Sequence, residues 1–192
     1  QPSREALYYP GPVSLAFLKL WSTPDTKFIF ADKSGQVFMH KTGHDMLGSL
    51  PPPAVETDSF MAYSQERYNR EREKSPFDDD VHQKLYDTRL HAFDPVSHYA
   101  VSAKVTTTDG ETFYGCNCEA GYNKALHAEG TALAAMVNAK GPDVKLKSVT
   151  VLTAGEPGFP CGGCRQHIHE FALPETEIIA VNTNGERHVT TH

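Results

Sequence analysis

Two short segments constrain this 192-residue chain more than anything else in it: Leu126-His127-Ala128-Glu129-Gly130 and Phe159-Pro160-Cys161-Gly162-Gly163-Cys164-Arg165-Gln166. One imidazole and two thiolates are ligands that select zinc, and three protein ligands leave a fourth position for water. His127 and Cys161 are 34 residues apart, enough for one helix, one strand and a loop. His127 is predicted in the first turn of one helix, and both cysteines in the first turn of the next. The chain must then bring two helix N-termini face to face across the end of a sheet, where their partial positive charge favours thiolates. Glu129, two residues beyond His127, sits beside the metal rather than on it, and can carry a proton from water to a substrate atom. Cys161 and Cys164 alone would equally fit a redox pair or a turn, but His127 and Glu129 at this spacing turn the balance toward a catalytic metal. A closed, inert site made of Cys116, Cys118, Cys161 and Cys164 is the structural alternative, and it leaves His127 and Glu129 without a purpose.

Charge narrows the ligand. Eighteen Lys and Arg against 24 Asp and Glu give a net charge of −6, which offers no footprint for a nucleic-acid backbone and argues for a small molecule. No apolar run approaches the roughly 18 residues of a membrane span. The chain opens at Gln1 without a charged-then-apolar signal or an Arg-rich transit pattern. Its four cysteines are clustered rather than scattered, which fits thiols kept reduced and a cytoplasmic home.

Residues 1–75 read as an N-terminal extension of unknown role and residues 76–192 as a catalytic domain. In the extension, Lys27–Phe30 and Val37–Met39 are expected as strands around an Asp32–Gly35 turn. Pro51-Pro52-Pro53 is a stiff connection. Phe60–Lys74 reads as a solvated surface helix. Leu7, Tyr8, Tyr9, Leu15, Phe17, Leu18, Leu20 and Trp21 need a surface to bury against, such as a neighbouring subunit or the pocket. From Asp78 onward the pattern is regular. A helix carries Val81, Leu85, Leu90 and Phe93, followed by strands over 98–107 and 112–119 joined at Thr108-Asp109-Gly110. A helix over 124–139, a strand over 148–153, a helix over 161–171 and a last strand over 177–181 complete it. This α-β-β-α-β-α-β order predicts an α/β fold, a three-layer sandwich with helices on both faces of a sheet.

The spacing His127-x-Glu129 with Pro160-Cys161-x-x-Cys164 resembles the cytidine deaminase family. Ser97-His98-Tyr99-Ala100-Val101-Ser102-Ala103 is similar to the family's S-x-F-x-V-G-A strand, which implies Tyr99 near the base, while the residue by itself fits the core equally well. Gly115-Cys116-Asn117-Cys118-Glu119 is similar to its G-x-N-x-E strand. The resemblance implies that Asn117 and Glu119 hold ribose hydroxyls, that the Ala128 N–H meets the base carbonyl, and that the chain forms a homo-oligomer, a dimer or tetramer. Gly130 stands where three-cysteine members carry Arg. With His127 and two thiolates the zinc site is already neutral, so no cation is needed. The implied reaction converts cytidine or deoxycytidine to uridine or deoxyuridine plus ammonia, with Zn²⁺ as cofactor and Glu129 as proton carrier. The other readings are a deaminase of a modified cytosine nucleoside such as a peptidyl-nucleoside antibiotic, a deaminase of single-stranded nucleic acid, and a zinc-stabilised binding module.

Overall fold

A computed structural model describes residues 27–31, 37–42, 57–120 and 124–192. By its internal contacts the chain divides into two compact units, residues 1–57 with 120–124 and residues 58–119 with 125–192. In the first, β1 (Lys27–Ala31) and β2 (Val37–Thr42) pair antiparallel, with Phe30 opposite Met39. The Asp32–Gly35 turn, the Pro51–Pro53 connection and the apolar residues between Leu7 and Trp21 lie outside the described residues.

The second unit opens with α1 (Thr57–Glu71) and α2 (Asp80–Leu90), and then builds its sheet. Strands β3 (Ser102–Thr107) and β4 (Thr112–Cys116) form the expected hairpin, which turns through Gly110 at φ 91°. A separate two-stranded ribbon follows, β5 (Cys118–Ala120) against β6 (Lys124–Leu126). Next come α3 (Ala128–Lys140), β7 (Leu146–Thr153), α4 (Gly162–Phe171), β8 (Ala172–Asn182) and β9 (Arg187–Thr191). The main sheet has the order β4-β3-β7-β8-β9, with β7 and β8 parallel and the other pairs antiparallel.

Side-chain alternation gives this sheet two apolar faces. Ala103, Val105, Val149, Val151 and Ile178 join Ala132, Leu133 and Met136 of α3 and Ile168 of α4 in one core. Leu152, Ile179 and Val181 point the other way, onto Leu85, Tyr86 and Leu90 of α2. The three-layer α/β sandwich is therefore present, with an added edge strand, β9, that the sequence reading left out.

Three local expectations are corrected. The helix expected from 124 begins at Ala128, because Lys124–Leu126 pairs with β5 and its backbone is committed to that ribbon. Val81 is exposed, and the buried face of α2 is instead Leu85, Tyr86, Arg89 and Leu90. The segment Phe60–Lys74 is helical but not simply solvated: Arg67 is only 2 % exposed and pairs with Asp94, which is 0 % exposed. Arg67 thereby ties α1 to the chain just beyond α2.

The approach of α3 to β4 depends on Gly115. A Cβ there would fall onto Thr131 Oγ1 and Ala132 N, and would stand 2.8 Å from the Ala128 carbonyl oxygen. The Thr131 hydroxyl closes the contact, donating to the Cys116 carbonyl at 2.9 Å. Backbone atoms of a helix cannot move aside as a flexible side chain can. Gly115→Ala is therefore expected to cost about 3 kcal/mol, the upper end for overpacking, read as a lowered urea midpoint with an unchanged m-value.

Candidate active site

The first turns of α3 and α4 deliver the reactive side chains. His127 is the residue that caps α3 and Cys161 the one that caps α4, both with extended backbone (φ −72° and −66°). Neither side chain bonds its own helix, so both are free to turn toward a common point. Cys164 follows in the first turn of α4 and is buried.

His127 Nδ1 lies 3.5 Å from Cys161 Sγ and 3.3 Å from Cys164 Sγ. All three ligand atoms fall within 4.8 Å of one another, the one such trio among the described residues. A tetrahedral zinc with bonds of about 2.0–2.3 Å separates its ligand atoms by roughly 3.5–3.8 Å, so the trio fits that ion. Nδ1 faces the sulfurs, which leaves the imidazole proton on Nε2 when the ring binds a cation.

Burial above all, then the negative charge of Glu129 and the adjacent Cys161, push the Cys164 thiol well up. A dication bound at the trio would favour the thiolate. Cys116 and Cys118 stand apart from the trio. All four cysteines are free, and burial raises the Cys116 thiol and, with Cys116 as neighbour, moves Cys118 to about 11. A four-thiolate site is thus not assembled.

Glu129 is 5 % exposed and lines a cavity of about 280 Å³ together with His127, Cys161 and Ala128. Ala128 is the first residue of α3, so its N–H has no acceptor within the helix. Tyr99, Asn117 and Glu119 line the same cavity. Tyr99 is 43 % exposed, which takes it out of the core and puts it on the cavity. The Asn117 amide donates to the Tyr99 carbonyl at 3.1 Å, and its oxygen accepts the Val101 N–H at 2.8 Å. Glu119 Oε2 accepts the N–H groups of Val96 and Ser97 at 3.0 and 3.1 Å, and Oε1 accepts the Ser97 hydroxyl. A carboxylate offers roughly four acceptor positions, so one on Oε1 remains open.

Ser97 and Phe159 are among the lining residues that were not picked out from sequence. Ser97 was visible only as part of a strand pattern, and its bond to Glu119 is a tertiary contact. Phe159 borders the cavity at 49 % exposure, and its place directly before Pro160-Cys161 was the available signal. Arg165 and Gln166, which follow Cys164, are exposed on α4.

Residues 75–180 match the family model of the cytidine and deoxycytidylate deaminase zinc-binding region. A cytidine deaminase of Mycoplasma pneumoniae is 36 % identical over 103 residues, which cover 53 % of this chain and 77 % of that protein. One from Mycoplasma genitalium is 29 % identical over 95 residues, covering 49 % and 72 %. The crystal structure of cytidine deaminase from Burkholderia pseudomallei superposes with a TM-score of 0.52 at 33 % identity, over 56 % of this chain and 86 % of that one. The matched span holds both the His–Cys–Cys trio and the buried Glu129, and the chain belongs to the cytidine and deoxycytidylate deaminase zinc-binding family of hydrolytic deaminases.

Proposed function

We propose that this protein hydrolyses the exocyclic C4–N bond of cytidine or deoxycytidine, releasing ammonia and leaving the uracil nucleoside. The observation that carries the reading is a buried carboxylate, Glu129, beside the His127–Cys161–Cys164 trio, in a cavity with a second carboxylate, Glu119, and no Lys or Arg among its described lining residues. Two carboxylates without a cation repel a phosphate, which favours a nucleoside over a nucleotide or a nucleic-acid strand. The four free thiols suit a reducing compartment, the cytoplasm.

Zinc held by His127 Nδ1, Cys161 Sγ and Cys164 Sγ would supply a Lewis acid that makes water acidic near neutral pH. The rest falls to the chain. Glu129 takes the proton from water and holds it at N3 of the ring, which makes C4 electrophilic. The hydroxide left behind bonds to C4, and its remaining proton returns to Glu129 and is delivered to the departing amine as the C4–N bond breaks and the C4 carbonyl forms, so one buried carboxylate serves each transfer in turn. The Ala128 N–H donates to the ring carbonyl, Tyr99 flanks the base, and Asn117 and the open position on Glu119 take sugar hydroxyls. Burial keeps bulk water from competing for those contacts.

Two outcomes test this. Glu129→Gln should lower kcat for cytidine by about 10⁴-fold or more, with KM and metal content nearly unchanged, because the amide keeps a hydrogen bond but carries no proton. Turnover within tenfold of the parent would place the base elsewhere. Metal analysis of the purified chain should find one zinc, lost in Cys164→Ser and kept in Cys116→Ser and Cys118→Ser; loss of zinc in the latter two would revive the four-thiolate site.

A further inference from the structure

Helix α1 lies before the residues that match the family model, yet it grips a wall of the cavity. The segment from Ala92 to Ala100 runs along that wall, and α1 holds it near both ends. At one end Arg67 Nη1 donates to Asp94 Oδ1 at 2.5 Å, and Nη2 donates to the carbonyls of Ala92 at 2.8 Å and Leu90 at 3.4 Å. At the other, Glu71 accepts from Arg89 Nη1 at 2.8 Å, and Arg89 Nε donates to the Ala100 carbonyl at 3.1 Å. Between them the Tyr63 ring meets His98 edge-on, with centroids 4.7 Å apart. His98 sits at φ 53°, a conformation an L-residue keeps only where its surroundings hold it.

What is gripped is the segment that orients Glu119. The Asp94 carbonyl accepts the His98 N–H at 2.9 Å, which closes the turn that presents the Val96 and Ser97 amides to Glu119. Ser97 Oγ then accepts the Tyr99 N–H at 3.0 Å. The arrangement is sensitive, because Asp94 Oδ2 and Arg67 Nε are buried with no hydrogen-bond partner. Without Arg67 both Asp94 oxygens would lack a donor, and a buried unpaired carboxylate is driven toward water and takes its segment with it.

We propose that Arg67 and Asp94 are positioning residues for the deamination, acting through Val96 and Ser97 to fix the carboxylate of Glu119 at the sugar-facing wall. Helix α1 is thus part of the substrate-recognition apparatus. The inference rests on the reading of Glu119 as a sugar contact. Its specific consequence is that disturbing Arg67 weakens recognition of the sugar hydroxyls more than the chemistry at C4.

The test compares cytidine with 2′,3′-dideoxycytidine, which lacks both hydroxyls, in Arg67→Met, Arg67→Lys, Arg67→Met/Asp94→Asn and the reference Glu119→Gln. Amide hydrogen exchange is followed in each. Arg67→Met should lose roughly tenfold of the parent's preference for cytidine, mostly in KM, the scale of one hydrogen bond to a charged group. Val96 and Ser97 amides should exchange faster while Val149 and Val151 stay protected, and Arg67→Lys should recover part of the preference. If Arg67→Met fails to fold, the double variant, which removes both buried charges, carries the same measurements. Unchanged preference in the Arg67 variants while Glu119→Gln loses it overturns the proposal. A retained preference in Glu119→Gln sinks the sugar reading instead; exchange then decides the positioning role, which stands if Val96 and Ser97 lose protection and falls if they keep it.

Discussion

The contact on which the site depends is the close approach of α3 to β4 across Gly115. Only a residue without a Cβ lets the Ala128–Ala132 backbone lie against the strand, and Thr131 fastens it by donating to the Cys116 carbonyl. The two ends of that contact are the two halves of the proposed site. His127, Ala128 and Glu129 start the helix, while Asn117 and Glu119 continue the chain just beyond the strand. Spacing them correctly therefore does not require a long lever. The small residues Ala128 and Ala132, both buried, keep the layer thin.

Burial works in two directions at this site. It withdraws Glu129 from bulk water, which suits a proton carrier, and it raises the Cys164 thiol, which opposes the thiolate that a metal needs. The two effects are coupled, because the charge of Glu129 is one of the causes of the rise at Cys164. A dication held by the trio offsets that cost, and two thiolates with a neutral imidazole then sum to zero charge with it. Gly130 in place of a cation is consistent with that balance. The proposed preference for a nucleoside rests on the lack of Lys and Arg among the described lining residues.

The wall that carries Asn117 and Glu119 is organised by polar bonds rather than by apolar packing. Asn117 and Glu119 are each 7 % exposed and satisfy backbone groups of the 96–101 segment. That segment is irregular, and it is kept in place from behind by Arg67, Tyr63 and the Glu71–Arg89 pair. A helix that reads from sequence as a row of solvated charges is thereby joined to the catalytic unit.

The sequence by itself determined the motif spacing that brings the trio and Glu129 together and the α-β-β-α-β-α-β order, while Asn117 and Glu119 were singled out through the family resemblance. Each of these is local: a motif of fixed spacing, a hydrophobic period, or a strand alternation that a few consecutive residues impose. Only the tertiary structure decided the start of α3, the addition of β9, the place of Tyr99 on the cavity and the burial of Arg67. The start of α3 moved because a ribbon partner claimed the backbone of Lys124–Leu126. Arg67 became buried because Asp94, 27 residues away, supplies the opposite charge. Nothing within a helical turn of Arg67 distinguishes it from its exposed neighbours Glu66 and Arg70. A charge is taken out of water only when a distant part of the chain brings its counter-charge to it, and that meeting is a property of the fold.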